Sequence, residues 1–251
     1  MQSVFPRITT RGFYSLNTGK TLIKSSYRLY PKKKFCELIG AKELTIMIHG
    51  LRNNNSGALS KFVIAKRRLK KLGYNHHVVG FSYDSNTAGV QYRSMAIHAM
   101  YVGIIIANKN GGNLAKFITD FKNNSPTTKI RLIGHSLGTH VILSAIKKLA
   151  KQRKNNGIIE SVHFFGGSIS NDSLQSKNFS RKAQNIIKSK IKNYYSPFDD
   201  VLRNADNENL ILTPIGYKGI IGKTTSKYSQ ILVKPKNHRF VSYASVLKSF
   251  P

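Results

Sequence analysis

From Lys129 to Ala145 the chain reads Lys-Ile-Arg-Leu-Ile-Gly-His-Ser-Leu-Gly-Thr-His-Val-Ile-Leu-Ser-Ala. This stretch constrains the fold more than any other. A largely apolar run, Ile130 to Ile133, leads into Gly134-His-Ser-Leu-Gly138, and Val141, Ile142, Ala145, Ile146 and Leu149 then recur at helical spacing. The order predicted is strand, tight turn, helix. Gly134 and Gly138 lack a Cβ, so strand and helix can approach closely around a strained serine. Ser136 would stand at the carboxyl edge of a sheet, at the start of a helix whose backbone N–H groups could face a developing oxyanion. The bland alternative is a glycine-rich turn with a serine cap.

The rest of the chain repeats that alternation. Strands are expected at Leu44–Ile48, 77–83, 129–134, 159–165 and 191–195. Helices are expected at 58–72, 89–121 (interrupted at Asn110-Gly-Gly112), 136–152, 181–190 and 240–250. Strands alternating with helices at this spacing predict an α/β fold, a three-layer α/β/α sandwich around a mostly parallel sheet. At 251 residues the chain fits one such domain. Residues 41–251 form it, and residues 1–40 read as a basic, irregular or targeting N-terminal extension. Residues 204–230 show no clear period and could form a lid.

A serine hydroxyl is a poor nucleophile until a base, itself oriented by an acid, takes its proton. In the α/β-hydrolase pattern, which this turn resembles, the chain order is serine, acid, histidine. Only His140, His163 and His238 follow Ser136. His140 lies one turn up the same helix and His163 inside an apolar strand. His238 occupies a loop before the last helix, where it can reach the sheet edge, and is the expected base. Among the intervening acids, Asp199 and Asp200 follow a strand at the correct edge. Asp199 is the expected acid, with Asp200 opening the next turn; the alternative is that either aspartate caps a helix. The expected oxyanion donors are the N–H of Leu137 and that of Leu51, in the turn after the first strand.

His49-Gly50, Gly134-His-Ser-Leu-Gly138, Asn193-Tyr-Tyr-Ser-Pro-Phe-Asp199 and Asn237-His238 occur in the order expected for the α/β-hydrolase superfamily, which residues 43–248 resemble. The stretch from Gly73 to Ser85 is similar to a lipase/esterase-like subgroup known among poorly characterised archaeal proteins. The resemblance implies a serine hydrolase acting on ester, lipid or thioester bonds through an acyl-enzyme, with no cofactor. It implies that His49, Gly50, His135 and Tyr83 border the substrate, although His49 could pack instead, and Asp84 could line the site or hold a turn. The basic N-terminal extension departs from the pattern.

Charge opens a second class of function. The chain carries 41 Lys+Arg against 10 Asp+Glu, a formal +31, which attracts nucleic acid, anionic membrane and acidic substrates. A catalytically silent hydrolase-like protein binding such partners is therefore the rival expectation. The single Cys36 excludes an internal disulfide framework and a cysteine-rich zinc site, and no metal is expected. Two Gly-Lys-Thr tripeptides, at 19–21 and 222–224, lack the earlier glycine of a phosphate loop: Tyr14 and Tyr217 stand there. A cytoplasmic location is expected. The alternative is mitochondrial, because the first 36 residues hold no acid, and Arg11-Gly-Phe-Tyr-Ser15 is similar to a processing site.

Overall fold

The computed structural model describes residues 4–251. In chain order the elements are β1 (Arg7–Thr9), β2 (Arg28–Tyr30), α1 (Lys32–Cys36), β3 (Glu43–Ile48), α2 (Asn55–Lys71), β4 (His77–Ser82), α3 (Ala96–Asn124), β5 (Lys129–His135) and α4 (Gly138–Leu149). They continue with β6 (Ile159–Phe165), α5 (Arg181–Ile186), β7 (Ile187–Tyr195), α6 (Asp200–Asn207), α7 (Ile215–Lys218), β8 (Tyr228–Leu232) and α8 (Phe240–Val246). The eight strands form one sheet in the order β2-β1-β4-β3-β5-β6-β7-β8. Every pairing is parallel except β1 with β2. Helices cover both faces, as buried parallel strands require, and the α/β-hydrolase expectation for the fold holds.

The central strands β3, β5 and β6 are almost wholly buried. That explains their near-continuous Ile, Leu, Val and Phe. One apolar core packs α3 and α4 on one face around Leu132, Ile142, Leu114 and Phe164. A second packs α2 and α8 on the other, around Met47, Phe62, Ile133 and Tyr243. Two charges enter this sheet as a matched pair. The Arg131 guanidinium donates to both oxygens of Glu43, at 2.8 and 3.0 Å, tying β5 to β3. Removing one partner would strand a buried charge and cost about 3–5 kcal/mol.

Four elements differ from the sequence reading. First, the extension expected at residues 1–40 supplies sheet: β1 lies inside it between β2 and β4. (Its first three residues lie outside those described.) The cause is local. Asp84 accepts the N–H groups of Gly12 and Tyr14, at 2.9 and 3.3 Å. Arg11 donates to Ser82 Oγ at 2.7 Å and to the carbonyls of Asn53 and Asn54 at 3.1 and 3.0 Å. Asp84 is thus a structural anchor rather than a wall of the site. Second, α3 runs unbroken through Asn110-Gly-Gly112. A Cβ on Gly111 would sit 2.5 Å from Ser144 Oγ and 2.8 Å from the Ala145 nitrogen, so this glycine lets α3 press on α4. Third, residues 187–190, expected as helix, begin β7. Fourth, the aperiodic segment 204–230 contains α7 and most of the edge strand β8. Among the described residues no helix is long and apolar enough to cross a membrane.

Candidate active site

Ser136 follows the last residue of β5 and adopts φ +51°, a left-handed conformation that costs a non-glycine residue about 1–3 kcal/mol. The surroundings hold it there. Its N–H donates to the Phe165 carbonyl at 3.1 Å, and its own carbonyl accepts the Thr139 N–H at 3.0 Å and the Thr139 hydroxyl at 2.7 Å. Two glycines make room. A Cβ on Gly138 would lie 2.5 Å from the Ile48 carbonyl oxygen, and one on Gly50 would lie 2.9 Å from Ser136 Cβ. The turn after β3 therefore lies directly against the serine.

His238, just before α8, reaches this serine from 102 residues away in the chain: Nε2 lies 2.9 Å from Ser136 Oγ. Its Nδ1 lies 2.7 Å from Asp199 Oδ2. With Nδ1–H donating to the carboxylate, Nε2 is left as acceptor for the serine hydroxyl. Asp199 is 1% exposed and makes the contacts of both alternatives that the sequence left open. Oδ1 caps α6 by accepting the Leu202 N–H at 3.2 Å, while Oδ2 accepts from His238 and from the Tyr243 hydroxyl, at 2.6 Å. Burial pushes this carboxyl up, but donors from His238, Tyr243 and Leu202 outweigh it and hold it below the usual aspartate range. Asp200 is exposed and pairs with Arg203.

The histidine loop is itself fixed. Asn237 Oδ1 accepts the Arg239 N–H at 3.0 Å and the Ser242 hydroxyl at 2.8 Å. Nε2 of His135 lies 2.8 Å from the His238 carbonyl. Burial, reinforced by nearby His238, lowers the His135 pKa to about 3, so the ring is neutral and donates Nε2–H to that carbonyl. Its Nδ1 is buried with no hydrogen-bond partner among the described residues. His135 thus lines the cleft and also holds the loop that carries His238.

The other expected site residues fall into two groups. The N–H of Arg52 donates to the Ser85 carbonyl at 2.8 Å. Those of Leu51 and Leu137 make no hydrogen bond among the described residues. Leu51 borders a cleft of about 800 Å³ that also meets His135 and His238. His49 and Tyr83 do not line this cleft: both are 0% exposed. Their rings stack with centroids 4.6 Å apart. His49 Nε2 accepts the Tyr83 N–H at 3.3 Å, and the Tyr83 hydroxyl donates to the His49 carbonyl at 3.0 Å. They brace the β3 turn from beneath, and burial keeps His49 neutral, with a pKa of about 3.

From sequence Lys61 reads as part of a solvated helix face, and Tyr243, Arg52 and Arg239 carry no signal. Tyr243 had no motif to mark it, only its position five residues after His238. Among the described residues no cluster of three His, Cys, Asp or Glu side chains is placed to hold a metal ion.

The profile of one protein family, described as "Alpha/beta hydrolase of unknown function (DUF900)", matches residues 33–208. No curated protein matches the chain in sequence. Among solved structures it is similar to a lipase-esterase related protein from Clostridium acetobutylicum, at 15% identity over 82% of this chain and 93% of that one, TM-score 0.44. It is also similar to a putative hydrolase from Agrobacterium vitis, at 12% identity over 82% and 85%, TM-score 0.44. An alpha-beta serine hydrolase homologue from Coxiella burnetii aligns at 12% identity over 82% of each chain, TM-score 0.42.

Proposed function

The chain belongs to the alpha/beta hydrolase family of unknown function (DUF900), and from that membership we propose that it is a serine hydrolase cleaving carboxylic ester or thioester bonds through an acyl-enzyme. One observation carries this reading. A continuous hydrogen-bonded line runs from buried Asp199 through His238 to the hydroxyl of a strained Ser136 beside an open cleft.

In the proposed cycle Ser136 Oγ attacks the substrate carbonyl carbon while His238 Nε2 takes its proton. Asp199, ionised and buried, holds the imidazole in the right tautomer and stabilises the imidazolium that forms. The carbonyl oxygen becomes an oxyanion facing the N–H groups of Leu137 and Leu51; one such donor is worth about 3–4 kcal/mol to the transition state. The tetrahedral intermediate collapses, and His238 returns the proton to the leaving alcohol or thiol. Water then attacks the acyl-enzyme by the same route, with His238 as base, and the acid departs. The chain's own residues perform every step.

Labelling with a fluorophosphonate probe, beside turnover of short 4-nitrophenyl esters, tests the assignment. The protein should label and turn over ester, and Ser136→Ala should remain folded by circular dichroism while losing both. Absence of labelling together with tight, salt-sensitive nucleic-acid binding would favour the binding-protein reading that the net charge of +31 supports.

A further inference from the structure

The cleft beside Ser136 is cationic. Arg52 from the turn after β3, Lys61 from α2 and Arg239 at the start of α8 line it, and no acid does. None of the three takes part in an ion pair among the described residues. Net charge alone would place cations widely on this surface, but an exposed lysine on an outer helix face stands in water at little cost. Lys61 does not. It is partly buried, and burial followed by the charge of Arg239 disfavours its protonated form. Arg131, also withdrawn from water, has Glu43 beside it. Here like charges from separate elements converge around a space of about 800 Å³, a volume suited to a small ligand. An anion entering it would relieve their repulsion.

We propose that this cleft selects esters bearing an anionic oxygen group, a carboxylate or phosphate, which Lys61, Arg239 and Arg52 hold while the ester carbonyl lies at Ser136. The inference rests on the reading of Ser136 as nucleophile. The remaining walls suit the rest of such a substrate: Leu51, Val201 and Phe240 give an apolar lining against which a short acyl chain can pack. The ligand is thus amphiphilic, carrying a charged group and an apolar acyl chain beside its scissile bond.

Binding to Ser136→Ala isolates recognition from turnover. By calorimetry this variant should bind mono-4-nitrophenyl glutarate at least about tenfold more tightly than the equally long, neutral 4-nitrophenyl pentanoate, a difference of about 1.4 kcal/mol. Adding Lys61→Gln and Arg239→Gln should remove the preference. So should 0.5 M salt on the Ser136→Ala protein alone, a readout that needs no further substitution. Equal affinities, or a preference that survives both treatments, would overturn the inference. Competition by phosphatidylglycerol but not phosphatidylcholine vesicles would assign the anion to a lipid headgroup, and competition by inorganic phosphate or glutarate alone to a soluble ester. If the unsubstituted protein hydrolyses neither ester and takes no fluorophosphonate while the charge preference persists, the hydrolase reading fails and the anion site stands.

Discussion

Tyr243 and His238 donate to the same atom, Oδ2 of Asp199, at 2.6 and 2.7 Å. The carboxylate is nearly dry, so each donor to it is worth more than a surface hydrogen bond, about 1.5–3 kcal/mol. Tyr243→Phe keeps the ring and removes only the hydroxyl. Stability should fall by about that amount in urea unfolding, and esterase kcat should drop by about tenfold as Asp199 loses one of the donors that hold it against the imidazole. A variant with undiminished kcat and stability would remove Tyr243 from the site.

Ser136 carries backbone strain that a glycine does not feel. Ser136→Gly should therefore unfold at higher denaturant than Ser136→Ala, by about 1 kcal/mol, while both are inactive. Equal midpoints would mean that φ +51° stores no usable strain.

Adjacent glycines in α3 should respond in opposite directions. A Cβ at Gly112 meets nothing within 4 Å, so Gly112→Ala should stabilise by about 0.5–1 kcal/mol through helix propensity. Gly111→Ala would drive a methyl into Ser144 and the Ala145 backbone and should destabilise by about 1–3 kcal/mol. Thermal melts of the two variants decide this.

Buried neutral imidazoles set an acid limit on the fold. His49 and His135 have pKa values of about 3 because they are buried, whereas an unfolded histidine titrates near 6.5. Between those values the unfolded chain binds more protons, so stability falls as pH drops through that window. The loss at pH 5 is up to about 2 kcal/mol per ring. Asp199 acts in the same direction at still lower pH, since its stabilising charge is lost as pH falls through its depressed pKa. Urea midpoints measured at pH 7.5 and pH 5 should differ accordingly; a flat profile would contradict the burial of these rings.

Much of this was legible in the sequence where one residue's surroundings decide its state. Buried parallel strands must be apolar along their length, so β3, β5 and β6 announce themselves, and Gly-His-Ser-Leu-Gly fixes where the serine stands. Chain order together with position at the carboxyl edge of the sheet pointed to Asp199 and His238 as the partners of Ser136. What stayed hidden depends on distant partners. β8 is exposed along nearly its whole length and shows no alternation, because it is an edge strand held by β7. Asn110-Gly-Gly112 reads as a break until α4 is packed against it. His49 and Tyr83 sit at the right strand ends to meet a substrate, yet they stack on each other, which no spacing rule reveals. The convergence of Lys61 and Arg239 joins residues 178 positions apart on different helices.

The strand at Arg7–Thr9 is an inner member of the sheet, flanked on both sides, and Ile8 within it is 0% exposed. Arg11 ties the same segment to carbonyls beside the turn that holds Leu51. Trimming the chain near Tyr14 would remove β1 from the sheet. It would open the sheet along β4, expose a row of unpaired backbone groups ready to join another chain, and loosen the floor beneath the serine.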